Sequence, residues 1–319
     1  MIKPHGGDRQ MRVLITGATG FIGRTLIPHL RDQPHIVPIL LLREMYSDPC
    51  MLPPFLAAMR PHYEAVYADL RNFQLTVRAV RAAEPDAVIH LAAAGATDPF
   101  LNVHTAVAHN VTGVINLARA CFEKTSTTRR LLMARTPGEL SSMNTYAASK
   151  AAAWQFCQMY SRTQGWPIHG AMIFQAYGPH QSARALVPAA TAAALAGQDF
   201  PLTRGVQQKD WIYVTDVVSG LLCALHTELP AGMTVQLGSG QGASVAEVVT
   251  MIYDLVAQHG WAAQQGKPMI GALPSRPGEA PQQIADTAYT KELLGWETAV
   301  SLRSGLMQYI NTVARQIPP

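Results

Sequence analysis

Residues 16–23, Thr16-Gly17-Ala18-Thr19-Gly20-Phe21-Ile22-Gly23, follow directly on the apolar, β-branched run 11–15 (MRVLI). They open a stretch in which Ile22, Leu26, Ile27 and Leu30 recur at helical spacing. Strand, glycine loop and helix therefore stand in the order that a phosphate cradle requires. A glycine lets the backbone turn tightly and approach a pyrophosphate with no Cβ in the way. The helix N-terminus adds free N–H groups and the positive end of its dipole. Gly17 and Gly20 are the candidates for turn and close approach, with Phe21 and Ile22 beside them, and Gly23 lets the helix pack closely on the strand.

Outward from this loop, buried-strand runs lie at 36–42 (IVPILLL), 64–68 (EAVYA), 87–91 (AVIHL) and 130–134. Between and after them, 73–83, 101–121 and 146–163 carry helical patterns. Strands alternating with helices predict a parallel sheet covered on both faces, an α/β fold of the Rossmann-type doubly wound class. The second half is less regular. It reads as a strand at 170–174, a break at Tyr177-Gly178-Pro179, an Ala-rich helix at 186–196, a strand at 211–214 and a helix at 216–226. A strand at 234–237 and a last helix at 291–294, stopped by Gly295-Trp296, complete it. Pro and Gly gather between 266 and 281, as in an exposed loop. The expected division is a dinucleotide-binding domain over 11–175, to which 208–238 returns, and a smaller C-terminal substrate lobe from 176–207 and 239–319, behind a tail at 1–10.

Of 319 residues, 48% are hydrophobic and 14% charged, enough apolar content to bury a large core and too little charge for a disordered chain. The net charge is +4 and Arg129-Arg130 is the one adjacent pair of cations, so no nucleic-acid surface is expected. No apolar run approaches the ~18 residues of a membrane span, and 1–10 (MIKPHGGDRQ) is too polar for the core of a signal peptide. Cys50, Cys121, Cys157 and Cys223 lie far apart, which implies reduced thiols and a cytoplasmic protein. No His, Cys or Asp cluster has metal-site spacing, so no metal is expected.

The end of the second strand separates NAD from NADP. NAD sites place an acid there for the ribose hydroxyls, but this strand ends Leu42-Arg43-Glu44. Arg43 can pair with a 2′-phosphate and favours NADP; the alternative is a solvated Arg43 with Glu44 on the ribose. Asp69-Leu70, after the third strand, would sit beside the adenine, and Leu91-Ala92-Ala93, after the fourth, leave room for a flat ring. His90 reads as a packed histidine. Tyr146 and Lys150 stand four apart on one helical face. A cation there stabilises tyrosinate and is expected to lower the phenol's pKa from ~10 toward neutrality, making Tyr146 an acid/base group for an alcohol that gives up hydride.

Together the two motifs make the chain resemble the extended branch of the short-chain dehydrogenase/reductase superfamily, the NAD-dependent epimerase/dehydratase family acting on nucleotide sugars. The resemblance also rests on Val88-Ile89-His90-Leu91-Ala92-Ala93, Asn110-Val111-Thr112-Gly113, Tyr177-Gly178-Pro179, 209–216 (KDWIYVTD), Arg276-Pro277-Gly278 and Leu294-Gly295-Trp296. It implies that Asn110 and Ile173 join Tyr146 and Lys150 around the cofactor, with Lys150 holding the nicotinamide ribose. Gln175, Val187, Lys209 and Arg276 would contact the substrate, the two cations at its pyrophosphate. Lys209 stands where the family usually has Arg, Gln175 where it has Asn, and Met172 where it often has Arg, so a bidentate grip becomes a point charge.

The family places a Ser or Thr at the end of strand five beside the reacting hydroxyl, and Thr136 holds the matching position, with Ser141 or Ser142 as substitutes. Related 4,6-dehydratases carry Asp-Glu immediately after that Thr; here Pro137-Gly138 follow and Glu139 stands alone. Elimination of water needs an acid and a base on neighbouring carbons. The resemblance therefore implies a C4 epimerase or a 4-ketosugar reductase. The rival readings are a non-catalytic NADP-binding regulator, supported by the short loop before Tyr146, and a reductase of a non-sugar substrate. The helices around 101–121 and 146–163 resemble those that pair across a homodimer, although their Ala-rich faces suit burial within one chain equally well.

Overall fold

The computed structural model describes residues 9–98, 100–275 and 280–316. The chain divides into two compact units, residues 1–172 with 218–235 and residues 173–217 with 236–319.

The first unit alternates strand and helix: β1 (Met11–Thr16), α1 (Phe21–Arg31), β2 (Ile36–Leu42), α2 (Pro54–Ala58), β3 (Glu64–Tyr67), α3 (Phe73–Ala83) and β4 (Ala87–His90). There follow α4 (Val103–Ala106), a π-helical turn at Val107–Thr112, α5 (Gly113–Phe122), β5 (Arg130–Arg135), α6 (Thr145–Gln164) and β6 (Ile168–Ile173). Further along the chain come β7 (Gln175–Tyr177), α7 (Leu186–Leu195), β8 (Phe200–Leu202), β9 (Gln208–Tyr213), α8 (Val214–His226) and β10 (Thr234–Leu237). The last elements are β11 (Gly242–Ser244), α9 (Val245–Gln258), β12 (Pro268–Ile270), β13 (Gln282–Gln283), α10 (Thr287–Leu294) and α11 (Leu302–Ala314).

Seven strands form one sheet in the order β10-β6-β5-β4-β1-β2-β3. Each pairing from β3 across to β6 is parallel. Successive side chains of β1 serve opposite faces, as a period of two dictates. Val13 and Ile15 pack with Leu26, Ile27 and Leu40, while Leu14 packs with Val80, Leu117 and Trp154. This is the doubly wound architecture that alternating strands and helices predict. Its strand order reverses between β1 and β4, the place where such sheets open a crevice at their carboxyl ends. The register sets Thr16 level with His90 on one side and Leu41 on the other, so the glycine loop leaves the sheet at that point.

The second unit pairs β9 with β7, β11 and β13, and β12 with β8. Its core joins Tyr177, Trp211, Val248, Ile252, Leu306 and Ile310. Two helices here are absent from the sequence reading. α9 starts at Ser244, which forms a reciprocal capping box with Glu247, and α11 starts at Ser301, whose hydroxyl accepts from Ser304 N. The helix read at 291–294 begins earlier, at Thr287, and ends at Gly295 in the left-handed region; it is not the last. The helix read over 101–121 is interrupted by the π turn. The Pro/Gly-rich stretch contains the short strand β12, and residues 276–279 of it lie outside the described residues. Among the described residues no helix is long and apolar enough to cross a membrane.

Candidate functional site

A cavity of about 340 Å³ opens at the reversal point of the sheet, walled by Thr16–Gly20, Leu41–Arg43, Tyr46, Ala68–Leu70, Leu91–Ala93 and His109. The loop that forms its floor is built on close backbone approach. Gly17 has φ +74, and a Cβ on it would lie 2.6 Å from Ala92 N. A Cβ on Gly23 would lie 2.4 Å from Gly17 O. Gly20 caps α1 with no side-chain acceptor, and the first turn holds no acid, so its N–H groups retain their affinity for an anion. Cavity and uncapped helix end together fit the pyrophosphate of a dinucleotide.

Gly17, Gly20, Arg43, Asp69, Leu70, Leu91, Ala92 and Ala93 are thus brought to one cavity. Phe21 and Ile22 are half-buried in the first turn of α1 and Gly23 is buried there. Asp69 is not a free acid. Its Oδ1 accepts from Arg71 N and Nε at 2.9 and 3.0 Å, and the guanidinium holds the carboxyl down at about 2. Asn110 is buried and turned to the loop after β4, where it accepts from Ala94 N (2.8 Å) and donates to Ala94 O (3.0 Å) and Ser149 Oγ (2.9 Å). Ser149 Oγ donates in turn to Tyr146 O at 2.7 Å. The chain of bonds ties the cavity wall to the helix that carries Tyr146 and Lys150.

Around the end of β5, Lys150 is buried and its Nζ donates to Ala134 O at 2.6 Å. Thr136 caps a short helical turn, Pro137–Leu140, its Oγ1 accepting from Gly138 N at 3.4 Å. That turn packs on the start of α6: a Cβ on Gly138 would lie 3.3 Å from Ala147 Cβ. Glu139 does not stand alone. Its Oε2 takes Arg135 Nε at 2.8 Å and its Oε1 takes Thr136 N at 3.0 Å.

The phenol departs from expectation. Burial first, and then the charge of Glu139, push Tyr146 up to about 12 rather than toward neutrality. Lys150, lowered to about 8 by burial, commits a proton to Ala134 O. A helical i,i+4 spacing fixes which face a cation shares, but not where its ammonium is aimed.

Ile173 ends β6, buried; Gln175 is exposed at the start of β7, and Val187 lies in the apolar core of the second unit. Lys209 is buried, its Nζ 2.8 Å from Gln283 Oε1, and Arg276 lies outside the described residues. Sequence reasoning missed Tyr46 and His109 in the cavity wall, and Asn116, whose Nδ2 holds the carbonyls of Leu70 and Arg71 at 2.8 and 3.1 Å. It also missed Arg135 and Ser149. Thr136-Pro137-Gly138-Glu139 carries the capping-box pattern, a legible signal for the role of Glu139.

The parallel sheet with a glycine loop at its reversal point defines the chain as a Rossmann-like protein. It belongs to the NAD dependent epimerase/dehydratase family, whose sequence profile matches residues 13–238, and is an enzyme of that family. A Bacillus subtilis (strain 168) protein described as an uncharacterized UDP-glucose epimerase is 28% identical, over 94% of this chain and 97% of its own. The dTDP-glucose 4,6-dehydratase 1 of Escherichia coli (strain K12) is 25% identical over 94% of this chain and 92% of its own. Among solved structures, the Thermotoga maritima UDP-glucose 4-epimerase with UDP-glucose gives a TM-score of 0.81 at 20% identity, covering 97% of this chain and 100% of that one. A double mutant of the Streptomyces venezuelae dTDP-glucose 4,6-dehydratase DesIV, with NAD bound, gives 0.79 at 24% identity, covering 94% and 96%.

Proposed function

We propose that the protein is a nucleotide-sugar C4 epimerase or 4-ketosugar reductase. Relatives named for UDP-glucose and dTDP-glucose support the substrate class. A nicotinamide dinucleotide, held by the glycine loop, Asp69-Leu70 and Leu91–Ala93, would supply the acceptor or donor of hydride. Tyr146 Oη holds the proton exchanged with the C4 oxygen, Thr136 Oγ1 orients that oxygen, and Lys150 holds the nicotinamide ribose. A phenol that stays protonated at neutral pH suits the ketone-reducing direction directly, because it is already the acid. On this reading Ile173 and Asn110 complete the cofactor's surroundings, and Gln175, Val187, Lys209 and Arg276 serve the substrate.

The observation that carries this reading over a 4,6-dehydratase is the turn after Thr136. Pro137 and Gly138 have no acid or base to offer, and both carboxylate oxygens of Glu139 are engaged inside the fold. Among the described residues of this turn, none presents a free carboxyl for elimination. Arg43, at the cavity end of β2, supports NADP, although similar structures hold NAD. Val103 and Val107, one turn apart and exposed, and exposed Phe156 on α6 support a homodimer. Four free cysteines agree with a cytoplasmic location.

The test is turnover of UDP-glucose, UDP-glucuronate and a dTDP-4-ketosugar with NAD or NADPH, alongside Tyr146→Phe. The variant is expected to lose about 10²–10⁴-fold in turnover while binding dinucleotide within about twofold of wild type. Wild-type turnover by Tyr146→Phe removes that residue from the mechanism.

A further inference from the structure

The Glu139 side chain is 1% exposed and that of its partner Arg135 10%. A buried carboxylate is tolerated only when paired and hydrogen-bonded. This one receives Arg135 Nη2 at 2.7 Å besides its bonds to Arg135 Nε and Thr136 N. Arg135 occupies a fitted slot. Its Cζ lies 4.4 Å from the centre of the Trp154 ring, and Nη1 donates to Thr234 Oγ1 at 2.8 Å. On the facing strand stands Gly170, where a Cβ would fall 2.6 Å from Arg135 Cδ and 2.5 Å from Thr234 Oγ1. Such a pair adds little stability over apolar residues of the same volume, so its presence asks for a local purpose. Lys150 binds the carbonyl of Ala134, the residue before Arg135. A buried ammonium, a largely enclosed guanidinium and a buried carboxylate therefore share the end of β5, one positive charge in excess, and a phenolate at Tyr146 would balance it.

We propose that Glu139 is a positioning residue for this site: gripped by Arg135, it fixes the backbone of Thr136, and its charge offsets one of the two cations at the end of β5 so that Tyr146 keeps its proton until substrate takes it. The proposal rests on the reading of Tyr146 as the acid/base group. Glu139 in the turn acts on Tyr146, and the titratable groups around Lys150 are His90 at the end of β4, Arg135 on β5, Cys157 on α6 and Glu139 itself. Of these, Glu139 acts on both reacting partners, opposing ionisation of the phenol and favouring the protonated amine. Without it the phenol and the ammonium both give up their protons at lower pH.

The experiment is an absorbance titration of the tyrosinate band in the full chain saturated with NAD⁺, as the difference between a protein and the same protein carrying Tyr146→Phe. In Glu139→Gln the midpoint is expected about one pH unit below that of wild type. Should Glu139→Gln fail to fold, Arg135→Met removes the opposite charge and is expected to raise the midpoint, while the double variant Arg135→Met/Glu139→Gln leaves neither charge unpaired, keeps the net charge of wild type and is expected to stay near the wild-type midpoint. A role confined to stability would lower the melting temperature and leave the midpoint in place; an unmoved midpoint in the single variant that folds, or a double variant lowered as far as Glu139→Gln, overturns the proposal. Failure of the acid/base assignment shows separately, as turnover by Tyr146→Phe.

Discussion

Arg43 and Asp69 bring opposite charges to one cavity, and their neighbours decide what each has to offer. Arg71 engages Asp69 through several hydrogen bonds, so the acid meets a ligand already neutralised. Arg43 is exposed at the strand end, and His109 is held below its ordinary pKa by burial, then by Arg71 and Arg43. Cationic character therefore prevails there. Arg43→Ala is expected to weaken NADPH binding about tenfold or more, the ~1.5–3 kcal/mol of a hydrogen bond to a charged group, and to leave NADH within about twofold. Equal losses for the two would assign Arg43 to some other part of the ligand; fluorescence titration of each dinucleotide measures both. Tyr146 and Lys150 are legible as a pair because helical spacing is local. The upward direction of the phenol's shift is not legible, since it depends on enclosure and on Glu139, seven positions away and folded back by its cap.

The β1–loop–α1 element is the most fully legible part of the molecule, because strand, turn and helix start are written in consecutive residues. Its tolerance is correspondingly low. Gly23→Ala would place a methyl 2.4 Å from Gly17 O and 2.8 Å from Ala18 Cα, backbone atoms that cannot step aside singly. The expected cost is about 1–3 kcal/mol in thermal or urea unfolding, with dinucleotide affinity falling as the loop shifts; an unchanged melt and affinity would show that the loop gives way freely. Other elements were harder to read. The π turn at Val107–Thr112 arises where Asn110 reaches Ala94 and Ser149, contacts 16 and 39 residues apart in sequence. In α9 the capping box Ser244-Val245-Ala246-Glu247 was legible from sequence, whereas the α11 cap, Ser301 onto Ser304, carries no such acid.

At the scale of the whole molecule, buried titratable groups bound the pH range of stability. His90 and His169 are driven down to about 3 and about 4, burial being the main cause. The unfolded chain takes up protons below ~6.5 that the folded chain refuses, so stability falls as pH drops from ~6.5 toward 4. Cys121 and Cys157 are pushed up to about 12, chiefly by burial. The unfolded thiols ionise first, and stability falls again as pH rises above ~9, Tyr146 adding to the loss above ~10. Lys150, at about 8, has the opposite sign and regains stability between ~8 and ~10.5. Urea midpoints are expected to peak between about pH 7 and 9; a midpoint that stays flat down to pH 4 would contradict the burial of the two histidines. The doubly wound class, the glycine loop and the Tyr146–Lys150 face are all legible in the order of residues, because each follows from spacing within one or two neighbouring elements. That Glu139 turns inward onto Arg135, that Asn110 bonds the loop after β4 and that Asp69 meets Arg71 emerges only in the folded chain. Those are matters of where long side chains find partners once several segments have closed around them.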